Sequence, residues 1–102
     1  MSKIESHREL LVWQKAMDMA VAIYRLSAKF PTNEIYRLVA QVTRSAASVP
    51  ANIAEGKARL TQRDYARFVS MSKGSLMETE TYVMLSTALD LQVRRKQNLS
   101  WI

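Results

Sequence analysis

The stretch SVPANIAEG (residues 48–56) decides the fold of this chain, because it places a proline and then a glycine inside a helical pattern. Apolar residues recur every three or four positions on both sides of the proline, from Val42 through Val49 to Ile53. This spacing predicts one helix that continues through Pro50 and bends there, since proline removes a backbone donor and crowds the preceding turn. We expect Gly56 to end that helix as a left-handed C-terminal cap.

The same periodicity extends outward from this stretch in both directions. It predicts three helices in a single domain of residues 1–102, over residues 8–30, 33–56 and 62–91. Pro31 ends the first helix, Thr32 or Asn33 is expected to cap the second, and Thr61 the third. The fold class predicted is all-α, an antiparallel up-and-down bundle of the four-helix type.

Two further features bear on how the helices pack. Gly74 falls in the middle of the third helix, where glycine usually marks close packing against another element. The last eleven residues, QVRRKQNLSWI (residues 92–102), carry three cations, no acid and no apolar period. We therefore expect a short or truncated fourth helix and an apolar groove that a partner covers.

Composition excludes several classes of protein. There is no cysteine, so disulfides, zinc–thiolate sites and cysteine nucleophiles are ruled out, in keeping with a reducing cytoplasm. No apolar run is long enough to span a bilayer, and the N-terminus does not resemble a signal peptide. The formal net charge is +6 and the pI about 10.0, a balance that favours acidic partners such as nucleic acid.

Three blocks of residues resemble the protein family encoded in 23S rRNA intervening sequences, which is also labelled S23 ribosomal protein. The first block is Leu11, Val12, Trp13, Ala16, Ile23, Tyr24, Phe30, Pro31 and Glu34. The second is Gln41, Arg44, Ser45, Ser48, Pro50, Asn52, Ile53, Ala54, Glu55 and Gly56. The third is Gly74, Ser75, Leu76, Glu78 and Glu80.

The resemblance implies a bacterial protein that forms an antiparallel four-helix bundle and assembles as a ring, typically a homopentamer. It also implies a relationship to the accessory proteins of diversity-generating retroelements, which are similar bundles with basic surfaces thought to bind nucleic acid. One departure from the family is the aperiodic segment of residues 92–102, which does not resemble the family's fourth helix. We expect this C-terminus to be truncated or altered, with a shifted reading frame as one hypothesis.

The polar residues of these blocks have two interpretations. They are Gln41, Arg44, Asn52, Glu55, Glu78 and Glu80. The functional one is a charged pocket for a ligand or for acid–base chemistry. The structural one is a network in which Arg44 meets a glutamate across the bundle and Asn52 satisfies backbone groups freed by Pro50. We favour structure, because no nucleophile, phosphate-binding loop or second histidine accompanies the acids; we expect no enzyme, cofactor, metal or small-molecule substrate.

Basic residues cluster at the turn between the second and third helices. They are Lys57, Arg59, Arg63, Arg67 and Lys73. Repeated by symmetry in an oligomer, this patch would form a positive surface for phosphate backbones. The favoured prediction is a non-enzymatic oligomer that binds RNA or DNA electrostatically. The alternatives are a solvated face that only maintains solubility, or a protein-interaction scaffold that uses the leftover apolar surface.

Overall fold

Three α-helices form the framework of the protein. The structure is a computed structural model that describes residues 6–91, and no strand occurs in that range. The helices are α1 (Leu11–Ser27), α2 (Ala40–Lys57) and α3 (Gln62–Ala88), and a short 3₁₀ turn at His7–Glu9 precedes α1. The predicted all-α fold class is confirmed. The predicted short fourth helix, at residues 92–102, lies outside the described residues.

The connection from α1 to α2 is longer than the two residues predicted, 31 and 32, and short helical turns form most of it. Helix α1 ends at Ser27, and a 3₁₀ turn at Thr32–Glu34 leads through a π-helical turn at Ile35–Val39 directly into α2. The amide of Glu34 donates to the carbonyl of Pro31 at 2.9 Å, so the helical turns begin immediately after the proline. The predicted cap at Thr32 or Asn33 is therefore wrong. Pro31 occupies the N-cap position of the 3₁₀ turn, and no side chain makes a capping hydrogen bond there.

Helix α2 lies between the other two and runs antiparallel to both. Early α2 pairs with late α3 through Ser45 and Thr79, whose hydroxyl oxygens lie 2.9 Å apart. Later in α2, the hydroxyl of Ser72 donates to the carbonyl of Val49 at 2.8 Å. On the other side, Ala16 of α1 packs with Val49 and Ile53 in the buried core. The order of the helices is thus up, down, up.

Small side chains line the contact between α2 and α3. The buried residues of α3 are Phe68, Ser72, Thr79 and Ser86, and hydrogen bonds join Thr79 to Ser45 and Ser72 to Val49 of α2. Small residues let two helix backbones approach closely, and hydroxyl groups remain buried at low cost when they bond to nearby carbonyls. Hydrogen bonds of this kind join Ser72 to Val49 and Ser86 to Val83. These contacts fix the position of α3 along α2.

Pro50 and Gly56 have different outcomes within α2. Pro50 is buried inside the helix, so the prediction that one helix continues through it is confirmed, whereas the bend at that point stays a prediction. The prediction that Gly56 caps the helix is wrong. The helix continues to Lys57, and the C-cap is Ala58, in a right-handed conformation with φ −78° and ψ −11°. Gly56 has no positive φ either.

Gly56 is instead a point of close approach between α2 and α3. A Cβ atom placed on Gly56 would lie 2.8 Å from Cβ of Phe68 and 3.1 Å from Cδ1 of Tyr65. The prediction that Gly74 marks close packing is wrong for the described residues, because a Cβ atom there would have nothing within 4 Å. Gly56 therefore has the close-packing role that was predicted for Gly74.

An apolar groove separates α1 from α3. Both helices pack on α2, and two cavities of about 340 and 500 Å³ follow one another along the space between them. Met19 of α1 and Leu76 of α3 line both cavities, so the two form one continuous groove. Within residues 6–91 nothing covers it. None of the described helices combines the length and apolar character that crossing a membrane requires.

Candidate nucleic-acid interface

A tight connection between α2 and α3 carries the predicted basic cluster. The amide of Arg59 donates to the carbonyl of Gly56 at 3.1 Å, which closes the end of α2. Two residues later, the hydroxyl of Thr61 accepts from the amide of Asp64 at 3.1 Å and caps α3. The predicted cap at Thr61, with Asp64 in the first turn, is confirmed. The backbone that carries the basic residues is therefore ordered by hydrogen bonds at both ends of this connection.

Two arginines, one in the connection after α2 and one in α3, lie against the same aromatic ring. The guanidinium carbon of Arg59 lies 4.7 Å from the centroid of the Phe68 ring, and that of Arg67 lies 4.8 Å from it. Phe68 is itself only 5% exposed, so the two guanidinium groups help to cover it. A cation over an aromatic face gains about 0.5–1 kcal/mol at an exposed site. Phe68 thus positions both arginines at the surface, a role that the sequence reasoning missed.

The same two arginines also pair with acids. Arg59 forms an ion pair with Glu55 at 2.9 Å, and Arg67 lies 3.8 Å from Asp64. The side chains of both pairs are 40–57% exposed, so the pairs are screened by water and contribute little to stability. They do reduce the local positive charge. The sequence placed Glu55 in a structural polar network, but here it pairs with Arg59 at the turn between α2 and α3.

Lys57 and Arg63 carry the unopposed charge of the turn. Neither forms an ion pair with any residue of the 6–91 segment. Arg63 is exposed in the first turn of α3, and Lys57 is half-buried in the last turn of α2. Lys57 lines a depression of about 210 Å³ beside the turn, together with Leu60 and Tyr65. The side chain of Leu60 is 99% exposed at the tip of the turn. This end of the bundle therefore presents free cations beside an apolar surface.

Lys73 does not belong with the other four basic residues. It lies ten residues beyond Arg63 on α3, which corresponds to about 15 Å along the helix axis. It lines the groove between α1 and α3 opposite Lys15, another exposed lysine. The predicted cluster of five is therefore corrected to four residues at the turn, which we call the basic turn: Lys57, Arg59, Arg63 and Arg67.

The predicted polar network does not form as one unit. The guanidinium of Arg44 donates to the side-chain oxygen of Gln41 at 3.1 Å, three residues earlier on the same helix. The hydroxyl of Tyr82 donates to that oxygen at 3.4 Å. Within the described residues, no ion pair joins Arg44 to Glu78 or Glu80. The expected contact of Arg44 with a glutamate across the bundle is therefore wrong.

Asn52 also acts locally, and at a different carbonyl from the one expected. Its side-chain amide donates to the carbonyl of Ser48 at 2.8 Å. The carbonyl that loses its helical donor at Pro50 belongs to Ala46, four residues before the proline. The prediction that Asn52 compensates for Pro50 is not met by this hydrogen bond.

Five of the six residues of the predicted network are exposed, and only Asn52 is half-buried. The exposed five are Gln41, Arg44, Glu55, Glu78 and Glu80. Within residues 6–91, no three acidic or histidine side chains come together in a way that could hold a metal ion. The described polar residues therefore do not converge on a buried chemical site, and the basic turn is the most concentrated group of charges.

Comparison with known proteins gives a family match over most of the chain. A search of curated proteins finds no match to the chain. The family model described as 23S rRNA-intervening sequence protein matches residues 8–99, which is most of the 102-residue chain and includes both helices that form the basic turn. The resemblance of the three sequence blocks is thereby confirmed. The chain belongs to the 23S rRNA-intervening sequence protein family.

Proposed function

We propose that this chain is a non-enzymatic, oligomeric helical-bundle protein that binds RNA or DNA through the basic turn. The observation that carries the proposal is the arrangement of four cations at one end of the bundle. Lys57 and Arg63 are unopposed, while Arg59 and Arg67 are held against Phe68. The formal net charge of +6 adds a general attraction for polyanions.

The mode of binding that fits this surface is contact with the phosphate backbone. Lysine and arginine at helix ends neutralise phosphates and release counterions, which gives affinity without reading bases. The guanidinium groups of Arg59 and Arg67 are already positioned, so they lose less conformational freedom on binding than free side chains do. Non-specific binding of this type has dissociation constants of about 10⁻⁴ to 10⁻⁶ M at physiological salt. An oligomer that repeats the turn would bind a long strand more tightly through avidity.

The absence of catalysis is also part of the proposal. The polar residues that could act as acids or bases, Glu55, Glu78 and Glu80, are exposed and lie on two different helices. Efficient acid–base catalysis requires groups held together within reach of one substrate. We therefore propose no cofactor and no small-molecule substrate. We also propose a location in the bacterial cytoplasm, as the family resemblance and the lack of cysteine led us to expect.

A protein-interaction scaffold is the second candidate, and the groove between α1 and α3 favours it. Its lining is mostly apolar, and exposed apolar surface of this kind commonly marks a protein contact. The two candidates differ in their response to salt. Binding at the basic turn should weaken steeply as salt rises, whereas apolar docking in the groove should not.

The test compares two charge reversals by fluorescence anisotropy with a labelled, non-specific RNA at low salt. Arg63→Glu places an acidic side chain in the first turn of α3. An acid there interacts favourably with the helix dipole, so the fold should be retained. Lys29→Glu makes the same change in charge after the end of α1, at the opposite end of the bundle. We expect Arg63→Glu to weaken binding about tenfold or more and Lys29→Glu to leave it nearly unchanged. Equal effects of the two reversals would contradict binding at the basic turn.

A further inference from the structure

A small depression lies at the connection between α2 and α3, directly beside the basic turn. Its volume of about 210 Å³ is below the roughly 300 Å³ at which pockets for drug-sized ligands begin. Leu10, Leu60 and Tyr65 give it apolar walls, and Lys57 and Arg59 give it positive charge. The depression therefore suits a small apolar group that is attached to something negatively charged.

Leu60 is held in the open beside this depression. Its side chain is 99% exposed, the highest value among the large apolar residues of the described chain. The backbone around it is fixed, because the amide of Arg59 donates to the carbonyl of Gly56 at 3.1 Å and Thr61 caps α3. Covering such a side chain with another apolar surface is favourable. Leu60 is thus a positioned contact for a ligand.

Tyr65 adds an aromatic ring to the same depression. The side chain is half-buried and lies against Gly56 of α2, where a Cβ atom would be 3.1 Å from Cδ1 of the ring. This contact holds the ring in place, so binding against it costs little conformational freedom. Aromatic rings are the surfaces on which proteins commonly stack unpaired nucleic-acid bases.

The charges around the depression match a sugar–phosphate backbone. Lys57 lines it, and Arg63 is exposed between Leu60 and Tyr65 in the sequence. Neither cation forms an ion pair with a residue of the 6–91 segment. No acidic residue of that segment lines the depression. A strand bound here can place its phosphates on the cations while a base covers the apolar wall.

We propose that the basic turn binds single-stranded nucleic acid, with one base stacked in the depression that Leu60 and Tyr65 line. This inference rests on the proposed function and names the class of nucleic acid. Stacking tolerates any sequence, because every base has a flat face, so it adds affinity without reading bases. A duplex fits less well, since its bases are already stacked on one another and must be pulled out at a cost.

Fluorescence anisotropy with three labelled DNA probes tests the base contact. The probes are an oligothymidylate strand, an abasic strand and a duplex, all of the same length. The two single strands carry the same phosphates, so a difference between them comes from the bases. The wild-type protein should bind oligothymidylate about tenfold more tightly than the abasic strand, and more tightly than the duplex. The salt dependence should be equal for the two single strands.

Variants at the depression locate the effect. Leu60→Ser should keep the fold, weaken oligothymidylate binding about threefold and leave abasic binding unchanged. Leu89→Ser is the matched control, because Leu89 is also exposed but follows the far end of α3, about 40 Å away, and it should change neither affinity. Tyr65→Leu should weaken oligothymidylate binding about tenfold, with thermal unfolding as the check on its fold.

Three results would overturn the base contact: equal affinity for the two single strands, tighter binding of the duplex, or equal effects of Leu60→Ser and Leu89→Ser. Base-independent binding that Arg63→Glu weakens would contradict the base contact alone. Base-dependent binding that Arg63→Glu leaves unchanged would contradict the basic-turn proposal alone. A protein that binds none of the probes at low salt would contradict both.

Discussion

Gly56 of α2 lies directly against Phe68 of α3, so closely that a Cβ atom on the glycine would sit 2.8 Å from Cβ of the phenylalanine. Phe68 in turn carries the guanidinium groups of Arg59 and Arg67 on its ring. The close approach of two helices thus places an aromatic ring where it positions two of the four basic residues at the turn. The SVPANIAEG stretch therefore contributes to the candidate interface through its last residue.

Gly56→Ala should destabilise the protein. The added methyl group would meet Phe68 and Tyr65, whose positions are fixed by α3, so the helices must separate. Overpacking of this kind costs about 1–3 kcal/mol. Urea denaturation measures the change in the free energy of unfolding.

Gly74→Ala is the matched control for that substitution. Gly74 is exposed in the middle of α3, and a Cβ atom there has nothing within 4 Å. The change should stabilise the protein by about 0.5–1 kcal/mol, because alanine is the better helix former. Changes of the same sign for both glycines would contradict the close approach at Gly56.

Ser72→Ala should weaken the contact between α2 and α3. It removes the buried hydrogen bond from the Ser72 hydroxyl to the carbonyl of Val49. Loss of one such bond costs about 1 kcal/mol. Ser70→Ala, at an exposed position two residues earlier on α3, should change stability by less than about 0.5 kcal/mol. Thermal unfolding of the two variants would separate them, and indistinguishable midpoints would argue against the cross-helix bond.

Thr61→Ala should destabilise α3 at its first turn. The threonine hydroxyl accepts from the amide of Asp64, and loss of an N-cap costs about 1 kcal/mol. Thr61→Ser keeps the hydroxyl and should preserve most of the stability. Hydrogen exchange of the first-turn amides would report the loss directly. If alanine and serine variants exchange alike, the cap does not stabilise the helix.

The parts of the fold that depend on local chemistry were predictable from the sequence. The apolar spacing around Pro50 indicates one continuous helix because helical periodicity is set by the chain itself. Thr61 and Asp64 indicate a helix start for the same reason, since a cap bonds to residues within one turn. The family resemblance likewise rests on residues that can be read directly.

Contacts between helices were harder to predict. Gly56 fits a C-terminal cap by position alone, and only the proximity of Phe68 reveals its role as a contact point. Arg44 has Gln41 within reach three residues away on its own helix, and this neighbour is easier to contact than an acid on α3. Phe68 as a platform for arginines was missed, although the arginine beside it in the sequence was a possible signal.

The central claim is that the basic turn binds nucleic-acid backbones, and the salt dependence of RNA binding tests it most directly. The slope of log K against log salt should be negative in the wild-type protein. It should become shallower by about 1.4 units for single-stranded RNA in the double variant Lys57→Gln with Arg63→Gln, because two phosphate contacts are lost. A double variant with an unchanged slope, or a wild-type affinity that does not depend on salt, would contradict the account.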